Sequence, residues 1–263
     1  MDLYKIWQIF WHVLINIDMP EGPIIVILKE EVDALHLVGK KVLRVSGTNT
    51  IEDDRIIGQQ VKAIKTYGKN FLICFEDFTL RVHLMMFGTY SLNHRKQTKL
   101  QLSLQFENAE LNFYTTSLKI IDEDLDTVYN WKSDIMSDLW DPKAAFKKIL
   151  KKPKALVTDI LLDQDIFTGA GNIIKNEVLY RIKVHPLSRV GALPAEKLKE
   201  MIKEVRNYSF DFLKWKKAKV LAKNFKIYEK DPDDDQQKGL VKEPLGKGKR
   251  ITYYYPEEQI KYE

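Results

Sequence analysis

The feature that most constrains the fold is one change in the periodicity of apolar residues. An amphipathic helix over 22–38 is followed by short alternating segments, bounded by Gly, Asn and Asp, that continue to residue 121. A period of two is typical of half-buried strands, and strands at this density predict a sandwich or barrel. Beyond residue 141 the period is helical. The sequence therefore predicts an α+β multidomain protein, with an N-terminal helix and β-sandwich followed by a helical domain.

The helical part has clear boundaries. DPKAAFKKILKK begins with an Asp cap and a Pro at the first helical position, and the glycine-bearing break TGAGN separates LVTDILLDQDIF from IIKNEVLYRI. After a long helix that starts at PAEKLKE, LVKEP and RITYYY predict a two-stranded ribbon around LGKGK. We place the domains at 20–141, 142–224 and 225–263, preceded by a leader at 1–19.

Charge is distributed unevenly along the chain. The net charge is +5, but residues 122–141 hold seven acids and one lysine, so the remainder carries +11. A basic body with a segregated acidic stretch favours a polyanionic partner, although lysines that merely solvate the surface give the same total.

Cysteine usage limits the possible metal chemistry. Cys74 is the only cysteine in the 263 residues and lies in the alternating segment FLICFED, which is typical of a core thiol. An intramolecular disulfide and a cysteine-rich zinc site are both excluded. We expect no metal and no cofactor.

The first residues differ in composition from the rest. The apolar stretch in MDLYKIWQIFWHVLINID is interrupted by Gln8 and His12, and it is shorter than the roughly 20 residues that span a bilayer. The segment also lacks a small-residue cleavage site. We expect a leader that is absent from the mature chain, with a membrane-surface helix as the alternative. We also expect no membrane partner and a cytoplasmic protein, at the nucleoid if the source is bacterial.

The segment MPEGP carries a chemical possibility. If the mature chain begins at Pro20, this residue has a free secondary amine, which can attack a sugar C1′ and form an iminium ion. An internal Pro20 has an amide nitrogen without an available lone pair, so the chemistry requires the shorter chain. The alternative is that PEGP is merely a turn and a helix start.

The segment TGAGNIIKNE is a second candidate site. Its glycines allow close approach to the backbone, and Asn172 precedes a helix whose free N–H groups and positive dipole end attract an anion. A phosphate clamp and an ordinary helix cap fit the local pattern equally well.

Taken together, these motifs resemble the formamidopyrimidine glycosylase and endonuclease VIII family. MPEGP, YGKNFLICF, HLMMFG, LLDQDIFTGAGNIIKNEVLYRIKVHP and a terminal RIT occur in the family's order between residue 19 and about residue 259. The resemblance implies a helix-two-turns-helix domain in the helical part and a base-excision enzyme acting on damaged double-stranded DNA.

The resemblance also implies catalytic residues. Pro20 is similar to the family's N-terminal nucleophile and Glu21 to its adjacent carboxylate, which suits general acid and base catalysis. Without a terminal Pro20, Glu21 is better explained as a helix-start carboxylate. Lys69 resembles the strand lysine that contacts the phosphate beside the lesion and assists catalysis.

Further residues are assigned to DNA binding on the same basis. Met85, Met86 and Phe87 stand where the family places side chains that fill the gap left by an extruded base. His83 resembles a backbone-contacting histidine. Simple packing and a structural histidine are the alternatives.

The phosphate contacts complete the resemblance. Asn172 matches the family's phosphate-binding asparagine. Arg250 matches the ribbon arginine that grips phosphates around the extruded nucleotide, although the four cysteines of the usual zinc finger are missing here. We therefore expect a zincless ribbon, as in zincless branches of the family.

The resemblance implies a bifunctional DNA glycosylase and AP lyase that acts through a Pro20 iminium and β,δ-elimination, and we expect a monomer. Within the family, PEGP and the short stretch between the long helix and the ribbon favour oxidised pyrimidines over 8-oxoguanine. Ile24 replaces a family glutamate, so the lyase step is better supported than lesion choice. The alternative is a catalytically silent damaged-DNA-binding protein of the same fold. An RNA-associated protein is disfavoured because it leaves Pro20, Lys69 and Asn172 unexplained.

Overall fold

A computed structural model describes residues 20–48, 51 and 53–263. The predicted leader 1–19 lies outside the described residues. Even the longest helix within the described part lacks the apolar length that a membrane crossing requires.

The elements follow the predicted division into a β-rich and a helical half. The helices are α1 (Gly22–Asp33), α2 (Asp53–Ile56), α3 (Leu125–Val128), α4 (Pro142–Leu150), α5 (Val157–Ile160), α6 (Asn172–Arg181) and α7 (Ala195–Lys217). The strands are β1 (Arg44–Ser46), β2 (Ala63–Tyr67), β3 (Asn70–Cys74), β4 (Thr79–Leu92), β5 (Leu102–Gln105), β6 (Glu110–Ile121), β7 (Val241–Leu245) and β8 (Arg250–Tyr254). Short 3-10 turns lie at Trp131–Ser133, Val190–Ala192, Ala222–Asn224 and Asp235–Gln237.

The first six strands form one antiparallel sheet in the order β1-β5-β6-β4-β3-β2. Alternation sends one set of side chains inward, where residues from all six strands and α1 form a shared apolar core. Strands β4 and β6 are much longer than their neighbours, so they connect the two ends of the sheet. This is the predicted N-terminal β-sandwich.

Helix α1 joins the two halves of the molecule. Ile25, Leu28 and Val32 are buried in the sheet core, whereas Ile24 is buried in the helical core. A helix with apolar residues on two sides can pack against both. The first residues of α1, and the carboxylate that precedes them, therefore lie at the junction of the two halves.

The observed α1 is shorter than predicted. It ends at Asp33 rather than at residue 38, and turns replace its last segment. His36 has a φ of 52°, in the left-handed region, which a continuing α-helix does not permit. Helices α2 and α3 were not predicted. The cap and proline predicted for α4 are present, and the Asp141 side chain accepts hydrogen bonds from Lys143 N and Ala144 N.

The two-stranded ribbon is present and packs on the helical half. Strand β7 pairs antiparallel with β8, and Tyr253 and Tyr254 are buried in the helical core. The ribbon turn is held by Asp159 of α5, whose Oδ1 accepts a hydrogen bond of 2.8 Å from Lys247 N. Together with the sandwich and the helical half, this ribbon confirms the predicted fold class.

Candidate active site

The carboxylate of Glu21 binds the start of a helix that lies 150 residues further along the chain. It accepts hydrogen bonds from the backbone N–H groups of Ile173 (2.7 Å), Gly171 (3.0 Å) and Ile174 (3.3 Å). Glu21 makes no side-chain capping bond to its own helix α1. The first N–H groups of α6 have no intrahelical partners, so Glu21 satisfies them from outside.

Burial determines the protonation behaviour of this carboxyl group. Glu21 is 1% exposed, and burial raises its pKa, against the opposing effects of Lys69 and the three backbone N–H groups. A raised pKa makes the Glu21 carboxylate a stronger base than an ordinary glutamate, which suits proton transfer. Pro20, which is buried, immediately precedes it.

The glycine break TGAGN allows Glu21 to approach. A methyl group at Gly171 would overlap the Glu21 carboxyl group. Gly169 has a φ of 99°, and its carbonyl accepts a hydrogen bond from Gly22 N at 2.9 Å. The side chain of Gln164 fixes this turn, since it accepts from Gly169 N and donates to Ala170 O. The turn therefore connects α1 to α6.

Lys69 lies in the tight turn between β2 and β3, and a buried aspartate fixes this turn. Asp134 is 2% exposed and accepts a hydrogen bond of 2.8 Å from Gly68 N through Oδ2, and one of 2.9 Å from Met136 N through Oδ1. Burial lowers the pKa of Lys69; Glu21 opposes this effect and Arg250 adds to it. Lys69 is thus an amine with weakened basicity close to Glu21.

A cleft of about 560 Å³ lies between the β-rich half, the helical half and the ribbon. Four predicted site residues line it, namely Lys69, His83, Asn172 and Arg250. They come from the β2–β3 turn, β4, the start of α6 and β8, so the fold brings together residues that are 181 positions apart. Gly171, which binds Glu21, also lines the cleft.

The polar groups of the cleft are held by specific partners. His83 shares a hydrogen bond of 3.1 Å between its Nδ1 and Asn70 Oδ1, and burial, with Arg81 and Lys69, lowers its pKa. The Asn172 side chain donates to the Ile251 carbonyl of β8 at 2.9 Å. Asn172 therefore binds the ribbon in this structure, while its predicted phosphate contact stays a prediction.

The predicted wedge residues lie outside this cleft. Met85, Met86 and Phe87 are 45%, 53% and 76% exposed, at the point where the pairing of β4 with β6 is interrupted between Leu84 and Thr89. Phe87 has a φ of 65°, which is costly for a bulky residue. The bulge presents three apolar side chains to solvent two positions after His83.

Sequence reasoning missed three residues that shape the site. Asp134 falls in the acidic stretch, which was interpreted only through its charge. Gln164 was read as part of an ordinary helix. Lys175 was placed on α6 without a role, yet it is fully buried. A lysine directly after two isoleucines in the segment IIKNEVL, which also contains Glu177, was the available signal.

Two family models match the chain. Residues 19–117 match the formamidopyrimidine-DNA glycosylase N-terminal domain, and residues 136–213 match the formamidopyrimidine-DNA glycosylase H2TH domain, the helix-two-turns-helix domain. The fold, the cleft and these two matches place the protein in one class. The chain belongs to the formamidopyrimidine-DNA glycosylase and endonuclease VIII family, as the sequence predicted.

Individual relatives agree with this assignment. Endonuclease 8-like 3 of Mus musculus is 26% identical over 209 residues, which are 76% of this chain and 34% of that protein. The chain thus spans about a third of the length of the Endonuclease 8-like 3 proteins that it matches.

Solved structures show the same fold. A viral DNA glycosylase superimposes with a TM-score of 0.78 at 21% identity, covering 91% of this chain and 100% of that one. The Lactococcus lactis formamidopyrimidine-DNA glycosylase, bound non-covalently to DNA containing an AP site, gives 0.77 at 22% identity, with 92% and 100% covered.

Proposed function

We propose that the protein is a bifunctional DNA glycosylase and AP lyase of base excision repair, acting on damaged double-stranded DNA as a monomer. The observation that carries this proposal is the junction at Glu21. A buried carboxyl group, adjacent in sequence to Pro20, is held by the N-terminal amides of α6 at the edge of a cleft lined by Lys69 and Arg250.

The cleft fits an anionic backbone. Lys69 of the β2–β3 turn and Arg250 of β8 are the basic side chains of its lining, and Asn70 and Asn172 supply amide groups. Phosphates supply most of the affinity in protein–DNA complexes and fix the position of the protein on the duplex. A phosphate beside the damaged nucleotide would therefore place its sugar near the Glu21 junction.

The proposed reaction begins at the Pro20 amine of a chain that starts at this residue. The nitrogen lone pair forms a bond to C1′, and the electrons of the C1′–base bond leave with the base, which takes up a proton. Glu21 accepts the amine proton and delivers one to the sugar ring oxygen, which opens the ring and leaves an iminium between Pro20 and C1′.

Strand cleavage follows from the iminium. Loss of a C2′ proton expels the 3′ phosphate, and a second elimination expels the 5′ phosphate. We favour oxidised pyrimidines as substrates over 8-oxoguanine, on the basis of PEGP and the short segment between α7 and the ribbon.

Borohydride trapping tests this mechanism. The Pro20-initiated chain, incubated with an AP-site duplex and borohydride, should give a covalent complex because an iminium is reducible. The chain beginning at Met1 should give none. Absence of a trapped product would refute the Pro20 mechanism, and normal binding without trapping would indicate a catalytically silent DNA-binding protein. Equal trapping by both chains would indicate a lysine nucleophile.

A further inference from the structure

Helix α6 holds the ribbon through polar side chains on one face. Asn172 Nδ2 donates to Ile251 O at 2.9 Å, and Asn176 Oδ1 accepts from Tyr253 N at 2.9 Å. Between them lies Lys175, one turn before Leu179 on the same helix. Strand β8 is therefore attached to α6 over its central residues, immediately after Arg250.

Lys175 provides the most direct connection to Arg250. Its Nζ donates to Thr252 Oγ1 at 2.7 Å and to Ile251 O at 3.4 Å. The Thr252 hydroxyl in turn donates to Arg250 O at 2.9 Å. A chain of hydrogen bonds, here called the relay, thus runs from the buried Lys175 amine through the Thr252 hydroxyl to the backbone carbonyl of Arg250, whose side chain lines the cleft.

The electrostatic setting of Lys175 is unusual for a lysine. Its side chain is 0% exposed, and among the described residues no carboxylate lies within ion-pair distance of its amine. The charged groups that face it are Arg250 on β8, Glu21 before α1 and Asp159 on α5. Burial, reinforced by Arg250 and opposed by the two carboxylates, lowers its pKa to about 7.

We propose that Lys175 is a positioning residue, which holds Arg250 at the cleft through Thr252 and whose charge couples ribbon attachment to phosphate binding. This inference rests on the proposed function, because Arg250 must contact DNA phosphate for the coupling to matter. In a ribbon whose sequence lacks zinc-binding cysteines, hydrogen bonds from α6 fix the strand instead.

The coupling has a definite sign. A phosphate at Arg250 adds negative charge near Lys175 and offsets the repulsion between the two cations, which favours the protonated amine. DNA binding should therefore take up a proton on Lys175. Affinity should fall as pH rises above about 7, since the free protein is then increasingly deprotonated at this site.

The test compares Lys175→Met with a matched control, Lys197→Met. Lys197 lies in the helical half and is partly buried, whereas Lys175 is fully buried. The Lys197 Nζ also donates to a backbone carbonyl, Ile182 O, at 3.0 Å, but Lys197 lies away from the ribbon. Binding is measured by fluorescence anisotropy with a duplex that contains a tetrahydrofuran AP-site analogue, between pH 6 and 9 and over a range of salt concentrations.

Lys175→Met should weaken binding roughly tenfold and lower the logarithmic salt slope by up to about 0.9, as expected when one phosphate contact is lost. Its affinity should also change less with pH than that of the wild type. Lys197→Met should keep the wild-type pH profile. The double variant Lys175→Met/Arg250→Ala should bind no more weakly than Arg250→Ala alone.

The outcomes separate the two proposals. If Arg250→Ala binds normally, the ribbon does not clamp DNA and the inference about Lys175 fails, whereas the proposed function fails only if the Pro20-initiated chain gives no borohydride-trapped product. If Arg250→Ala weakens binding but Lys175→Met does not, or if the two losses add, Lys175 does not act through Arg250. If Lys175→Met fails to fold, Thr252→Val is measured instead. A loss of DNA affinity and of salt slope that is smaller than the one expected for Lys175→Met supports the relay, and wild-type binding refutes it.

Discussion

Two regions of this protein reverse the usual placement of polar and apolar residues. The N-terminal half of α6 buries polar side chains, including Asn172, Lys175 and Asn176, whereas the bulge of β4 exposes Met85 and Phe87. Buried polar groups and exposed apolar groups are the informative exceptions in a folded protein. In the buried region Asn172 Nδ2, Lys175 Nζ and Asn176 each have a hydrogen-bond partner within the molecule, whereas Asn172 Oδ1 has none among the described residues. In the exposed region no partner within the described structure covers the side chains.

The difference indicates two kinds of function. Polar groups buried with their partners hold other parts of the site in place, so their loss should affect catalysis and stability together. Exposed apolar groups contribute little to folding, and they suit contact with another molecule. Variants in the two regions should therefore separate effects on stability from effects on DNA.

The largest effect is expected for Glu21→Gln. Base excision should fall by about 10²- to 10⁴-fold, because an amide cannot accept and return the proton that the reaction requires. DNA binding should be retained, since the substitution removes no positive charge. Single-turnover excision from an oxidised-pyrimidine duplex measures the first effect and anisotropy the second. An unchanged excision rate would reduce Glu21 to a structural cap of α6.

The same variant tests the protonation of Glu21. The pKa of the wild-type Glu21 carboxyl group is raised in the native state. Its contribution to the free energy of unfolding is therefore fully present below about pH 4.5 and is lost as the pH rises through the native pKa. Glu21→Gln should remove that decline. Chemical denaturation of both proteins at a series of pH values measures it, and parallel curves would contradict the raised pKa.

Gly171→Ala should have the next largest effect. The added methyl group overlaps the Glu21 carboxyl group, so we expect a loss of about 1–3 kcal/mol in the free energy of unfolding. Excision should fall about 100-fold through displacement of Glu21. Gly39→Ala is the control for loss of a glycine away from Glu21: Gly39 has open space around it, and its φ of 86°, unlike the −133° of Gly171, adds backbone strain of its own. Equal losses of activity in both variants would exclude a specific role for the approach of Glu21.

Arg250→Ala should have an intermediate effect, confined to binding. Affinity for a lesion-containing duplex should fall roughly tenfold and the logarithmic salt slope by about 0.9. At low salt and saturating enzyme much of the excision should return, whereas a Pro20 variant should not recover under any salt condition. A failure of excision to recover would give Arg250 a part in the chemistry itself.

The smallest effect is expected for Phe87→Ala. The free energy of unfolding should change by less than about 0.5 kcal/mol, because the side chain is 76% exposed. Excision from duplex DNA should fall about two- to fivefold, while excision from a single strand, which has no base stack to fill, should not change. Val38→Ala, at another exposed apolar position, controls for surface changes. A large loss of stability would mean that Phe87 packs within the protein.

The comparison also shows where sequence reasoning succeeded. All six strands of the sheet, the ribbon and the long helices follow local patterns, because periodicity and caps are properties of neighbouring residues. Lys69, His83, Asn172 and Arg250 were assigned from the resemblance to the family; the fold places all four in one cleft, and their roles stay predictions. The end of α1 was misplaced, since the left-handed turn at His36 has no strong local signal.

By itself, the sequence determined the two-part fold, the ribbon without cysteines and the proximity of Pro20 and Glu21, all of which depend on local patterning and composition. Tertiary structure alone decided which groups meet. Nothing near Glu21 in the sequence indicates that it satisfies the N–H groups of Gly171 and Ile173, and nothing near Lys175 indicates that it binds Thr252. The residues in these pairs are separated by 77 to 152 positions in the sequence. The N–H groups at a helix start and a buried amine come within hydrogen-bond distance of such partners only when the chain has folded.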